Sequence, residues 1–135
     1  MSSNKVRRAV VMGMSLIALG CGGLATAGTA SAVGGNGYLE SGEFGEYYNS
    51  NQGGCVWDLV TEDSQFNNNW FVGPSGCAGR NVTVNDNTAS YWNRQGVTWD
   101  VYTDANYGGV HGWIPAGNQG NYSSNFKNEV SSAKK

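Results

Sequence analysis

Along this chain, apolar positions recur at intervals of two rather than three or four. Val97, Trp99 and Val101 alternate with Thr98, Asp100 and Tyr102, the pattern of a half-buried strand. Val82 and Val84 alternate with polar neighbours in the same way. Glu46 to Tyr48 and Cys55 to Val60 predict two more short strands, Tyr91-Trp92-Asn93 follows without an assigned element, and Trp113-Ile114 reads as a strand end. Trp70-Phe71-Val72 is an apolar island in a polar stretch. Between these runs lie Asn49 to Gly54, Gly73-Pro74-Ser75-Gly76, Asn93 to Gly96 and Pro115 to Gly117, all rich in turn-forming residues. Asn118 to Asn125 reads as a polar loop. No segment keeps apolar residues at helical spacing over three turns. Many short strands joined by Gly and Asn turns predict an all-β sandwich or barrel.

The pattern also repeats. Tyr102 is followed five residues on by Tyr107 and seven on by Gly109, and the stretch closes on Asn128-Glu129-Val130-Ser131-Ser132. Tyr47 is followed by Gln52 and Gly54 in the same frame, and Asn85 to Ser90 (NDNTAS) matches Lys127 to Ser132 (KNEVSS). The opening fits a strand folding over into a tight hairpin, with glycines at angles that side chains forbid. The closing fits a polar loop tied by side-chain-to-backbone hydrogen bonds. The first half is 13 positions longer, 43 against 30 from its tyrosine to its last serine, and the excess falls around Trp70 to Ala78. Two matched halves, a first motif over about 38–93 and a second over about 97–135, predict two Greek keys packed as a sandwich.

Composition changes this picture at the N-terminus. Lys5, Arg7 and Arg8 precede an apolar run, Ala9 to Leu24, and Ala30-Ser31-Ala32 has the small-x-small form of a cleavage site. Residues 1–32 therefore read as a secretory signal peptide, leaving 33–135 as one domain. Processing as a lipoprotein at Cys21 is the alternative. The run is too broken by glycine for a membrane-spanning helix. The remaining part carries five basic against ten acidic residues, a net of −5, and all 16 aromatic residues. That balance argues against nucleic acid and against anionic membrane as partners. Cys55 and Cys77 form an even pair in an exported chain, so a disulfide is expected.

At this point a resemblance is visible. GYLESGEFGEYYNSNQGG (37–54), VNDNTASYWNR (84–94), VYTDANYGG (101–109) and NEVSSAKK (128–135) together resemble the secreted actinobacterial, SMPI-like peptidase inhibitor family, of the βγ-crystallin-like superfamily. Gly45 departs from it, standing where many relatives are expected to carry cysteine. The resemblance implies a βγ-crystallin-like, two-Greek-key β-sandwich, and an extracellular peptidase as partner. The expected inhibitory element is the loop Gly73, Pro74, Ser75 and Gly76, anchored by Cys55–Cys77. A loop already held in its bound shape loses little entropy on binding. The superfamily also implies calcium sites, which pair a polar-loop carbonyl and hydroxyl with an Asn or Asp from the opposite loop. Here Asp86 with Ser131 keeps its oxygens. Asn128 with Ala89 lacks the hydroxyl, and Lys127 adds a cation. At most one weak calcium ion is expected, and no cofactor is required.

Three further expectations complete the reading. The protein is expected to act as a secreted, extracellular monomer. The alternative role is a non-inhibitory module that binds cell wall or glycan. For it, Trp57, Trp92, Trp99 and Trp113 are read as core, which leaves only Trp70 exposed. An enzyme is disfavoured, because HExxH, G-x-S-x-G and Cys-x-x-Cys are all absent and His111 has no marked partner.

Overall fold

The computed structural model describes residues 32–135. The signal peptide expected over 1–32 lies outside the described residues as far as Ser31. Seven strands form two antiparallel sheets. The first motif supplies β1 (Phe44–Asn49), β2 (Gly53–Leu59) and β3 (Ser90–Asn93). The second supplies β4 (Trp99–Asp104), β5 (Gly108–Ile114), β6 (Gln119–Asn121) and β7 (Ser132–Lys134). One sheet has the order β2-β1-β3-β6 and the other β5-β4-β7.

Each motif sends its third element into the other's sheet. β6 crosses to pair with β3, Tyr91 opposite Gly120. In the first motif the crossing element is reduced to a single bridge, Asp63 to Ala133 of β7, with backbone bonds of 2.9 and 3.0 Å. This exchange of strands makes the two Greek keys one body. β6 falls inside the stretch expected as loop: all three of its residues, Gln-Gly-Asn, lack the apolar alternation that would mark them.

The two hairpins are copies of one another at an offset of 55 positions, as Tyr47 and Tyr102 show. Both fold over through left-handed backbone: Asn51 (φ 59°) and Gln52 (56°) in one, Asn106 (58°) and Tyr107 (62°) in the other. Such angles cost residues with side chains about 1–2 kcal/mol each. A serine compensates. Ser90 Oγ donates to Asn49 O (2.6 Å) and accepts from Gln52 N (2.9 Å). Ser132 Oγ donates to Asp104 O (2.7 Å) and accepts from Tyr107 N (3.0 Å). The last serine of each closing motif is thus the tie of its hairpin.

The core lies between the sheets. Phe44 of β1 and Trp99 of β4 stack face to face across it, centroids 4.7 Å apart. Leu59, Phe66, Phe71, Val84, Val101 and Val130 pack around them. Glu46 follows Phe44 in the inward phase of β1 and is fully buried. The Tyr122 hydroxyl lies 2.7 and 2.8 Å from its two carboxyl oxygens. Burial pushes the Glu46 pKa up to about 8, against which the Tyr122 hydrogen bond acts only partly.

The outer faces differ. Residues 34–42 run over the sheet of β1–β3. Gly35 N donates to Asp58 O, and Asn36 N and Gly37 N donate to the Asp58 carboxylate (3.0 and 2.9 Å). Leu39 packs so closely on Gly45 that an added Cβ would lie 2.8 Å from it. A cysteine at Gly45 would displace this covering leucine. No comparable segment covers the outward side chains of β4 and β5 among the described residues.

Candidate functional site

The 13-residue excess of the first half is built onto the edge of β2. Val56 and Val72 exchange backbone hydrogen bonds, both 3.0 Å, so Val72 extends the sheet. Phe71 pairs in turn with Asn81 and Val82 (3.0 and 2.9 Å), and Trp70 bridges Thr83. The apolar island is therefore the middle strand of a small three-rung patch. Phe71 is its anchor, fully buried and 5.6 Å from the Tyr48 ring. The Val82–Val84 alternation is used here in bridges and backbone bonds rather than in a sheet strand of its own.

The chain then turns through Gly73, Pro74, Ser75 and Gly76. Cys77 N closes the turn on Pro74 O (3.1 Å), and Cys55 N holds the return on Ala78 O (2.8 Å). Cys55 and Cys77 are disulfide-bonded, with Cα atoms 5.2 Å apart. Gly73 has φ 157°, and an added Cβ would sit 2.9 Å from Cys77 Sγ. Only glycine lets the chain pass so near the bridge. Pro74, Ser75 and Gly76 are exposed, and nothing lies within 4 Å of a Cβ placed on Gly76. The structure thus brings the expected loop residues together as a three-residue tip. Both sides of the tip are pinned, one by the Val72–Val56 pair and the other by the disulfide.

The loops before β3 and β7 cross, as the superfamily resemblance implies. Asp86 N donates to Val130 O (3.1 Å), and Asn128 N donates to Thr88 O (2.8 Å). Asp86 and Asn128 share left-handed backbone, φ 61° and 59°. The expected pair forms: Ser131 Oγ donates to Asp86 Oδ1 (3.0 Å) and lies 3.4 Å from Glu129 O. This is one carboxylate, one hydroxyl and nearby carbonyls, a hard-oxygen set smaller than the six to eight ligands calcium takes. The opposite crossing is a cleft of about 230 Å³ lined by Tyr48, Asn49, Ser50, Asn87, Ala89, Lys127 and Asn128. That cleft carries the Lys127 ammonium on its wall and no carboxylate among its lining residues. Among the described residues no three His, Cys, Asp or Glu side chains cluster as a metal site.

The structure corrects the reading of the tryptophans. Trp99 is fully buried, but Trp57 and Trp92 are half-buried, and Trp92 lies under the Arg94 guanidinium. Trp113, expected in the core, is 66% exposed, more than Trp70 at 50%. The cause is phase: Ile114 takes the inward position of β5, so its neighbour must point out. The buried Glu46–Tyr122 pair was invisible from sequence, because its members lie 76 residues apart.

Residues 38–114 match peptidase inhibitor family I36, a stretch that holds the whole first motif, the disulfide and the loop tip. The chain belongs to that family. Its members are peptidase inhibitors and not enzymes. No curated protein matches the chain. Among solved structures, one bearing on the evolution of the eye-lens βγ-crystallin domain fold is similar at TM-score 0.56 and 20% identity, over 76% of this chain and 91% of that one. A βγ-crystallin from Ciona intestinalis is similar at 0.53 and 21%, over 70% and 99%. A βγ-crystallin domain from Flavobacterium johnsoniae gives 0.52 and 22%, over 67% and 90%. At these identities the likeness establishes the fold, which is that of the βγ-crystallins, and nothing of what those proteins bind.

Proposed function

We propose that this I36 inhibitor is exported and acts outside the cell. In this reading the tip Pro74-Ser75-Gly76 enters the cleft of a peptidase. The observation that carries this is the pinning of an exposed tip on both sides, by the Val72–Val56 pair and by Cys55–Cys77. A tip so held sacrifices little conformational freedom on docking and resists rearrangement into a cleavable strand. The protein acts as a monomer, one tip per target.

The test is an inhibition screen against a metallo-, a serine and a cysteine peptidase. The chain, oxidised, is expected to inhibit one class at micromolar concentration or below. Replacing Pro74-Ser75-Gly76 by three alanines is expected to abolish inhibition while the fold persists. The double change Cys55→Ser, Cys77→Ser is expected to weaken it. Undiminished inhibition by the tip variant would move the contact surface elsewhere.

A second reading rests on the Asp86–Ser131 contact. The Asp86 carboxylate and the Ser131 hydroxyl contribute to one weak calcium site, open water completing the shell. Calorimetry is expected to show at most one weak binding event, lost in Asp86→Ala. Two tight events would contradict it.

A further inference from the structure

The outer face of the β5-β4-β7 sheet is organised in two rows. Register sets His111 beside Tyr102, and sets Trp113, Asp100 and Lys134 side by side. The His111 ring stacks on Tyr102 (centroids 4.8 Å, planes 11° apart), and Trp113 stands 5.7 Å further along. His111 Nε2 lies 3.0 Å from Asp100 Oδ1. Lys134 Nζ sits 5.7 Å from the Tyr102 ring centre. The rings are therefore braced by one another and by two charged groups before any ligand arrives.

We propose that this face is a binding site for a neutral glycan, a chain of pyranose rings with equatorial hydroxyls. Such rings show C–H faces above and below and hydroxyls around the rim. Trp113 offers one sugar a flat apolar surface, and the Asp100 carboxylate and His111 imidazole offer an acceptor and a ring nitrogen to its hydroxyls. The alternatives fit less well. A second copy docked on this face would bury Asp100, His111 and Lys134 against an apolar ring set, which costs free energy unless each finds a partner. A polyanion would meet a net charge of −5 over residues 33–135.

This site is separate from the proposed inhibitory tip, which grows from β2 in the other sheet. A glycan-bound molecule would keep that tip free, and immobilise an inhibitor on a polysaccharide surface. The proposal does not depend on the tip reading.

The experiment is depletion of the protein from solution by insoluble cellulose and by chitin, with soluble cello- and chito-oligosaccharides as competitors. Retention on at least one of the two is expected, with release by its own oligosaccharide. Trp113→Ala is expected to weaken retention about tenfold, the equivalent of 1.4 kcal/mol. Asp100→Asn should weaken it less. Trp70→Ala, which removes the other strongly exposed tryptophan, should leave it unchanged. Unfolding midpoints confirm that the variants stay folded, and peptidase inhibition is read in parallel. The proposal fails if neither polysaccharide retains the protein. It also fails if Trp113→Ala is retained like the parent, or if Trp70→Ala loses as much. A dimer in gel filtration that Trp113→Ala dissolves would give the face to a second copy instead.

Discussion

Asp58 and Trp113 occupy the same position in the two halves, 55 residues apart, each directed outward from the second strand of its hairpin. Asp58 is 1% exposed and Trp113 66%. The carboxylate is sealed and the indole is open, the reverse of what polarity alone would assign. The strands do not account for this, since both hairpins have the same bulge, the same left-handed corner and the same serine tie. The difference comes from residues 34–42, which lie over one sheet only and give Asp58 two backbone N–H donors. Even so, desolvation outweighs those donors and raises the Asp58 pKa. Burial of equivalent positions is thus set by a covering segment that only one half carries.

The comparison can be broken first at the place the halves share. Trp99→Ala removes the ring that stacks on Phe44 and is expected to cost about 3–5 kcal/mol. Urea unfolding should show the loss as one transition, because the exchanged strands unite both halves; two separated transitions would show the motifs to be independent. Next, Cys55→Ser with Cys77→Ser affects only the longer half. Opening a loop of 22 residues is expected to cost about 3 kcal/mol. Far less than this would mean that the Val72–Val56 and Phe71–Val82 pairings already confine the loop.

Glu46 sharpens the comparison in another way, since Val101 stands where the second half would carry its counterpart. Glu46 in the folded protein holds its proton up to pH about 8, whereas the unfolded chain releases it near 4.5. Between those values the folded state binds more protons. The stability Glu46 contributes is therefore complete below about pH 4.5 and falls as pH rises to about 8, with a limiting slope of about 1.4 kcal/mol per pH unit. Glu46→Gln is expected to flatten that part of the pH–stability curve and to be the more stable variant at pH 8–9. An unchanged slope would place the titration elsewhere.

The smallest effects come from the matched ties. Ser90→Ala and Ser132→Ala each leave a left-handed corner without its hydroxyl and are expected to cost about 1–3 kcal/mol. Thermal midpoints should fall by similar amounts. A much larger loss for Ser132→Ala would reflect Tyr107, a bulkier residue than Gln52 to hold at positive φ.

How legible was all this in the sequence? The strand through Trp99 and Val101, the two hairpin corners and the disulfide were readable because each is local or chemically marked, whereas Val97 lies exposed ahead of β4 and the Val82–Val84 alternation forms bridges only. The crossing of Asp86 with Ser131 was legible only through the superfamily resemblance, which pairs each polar loop with the opposite one. β6 was not, since a strand of Gln-Gly-Asn is defined by its pairing partner alone. Trp113 was misread because aromatic character says nothing of phase, which Ile114 decides one residue later. The turn at Gly73 to Gly76 was readable from its Gly-Pro-Ser-Gly sequence. The edge pairing of Val72 with Val56 that braces it depends on a contact between distant residues and carries no sequence signature.

The stacked rings of Phe44 and Trp99 have one more consequence. They are the same position in the two hairpins, and each is the other's neighbour. A position that touches its own counterpart is the mark of a twofold axis, the contact a symmetric homodimer makes with itself. The two halves meet as the subunits of such a dimer would, yet as parts of one chain they need not match elsewhere, and one outer face is sealed while the other stays open.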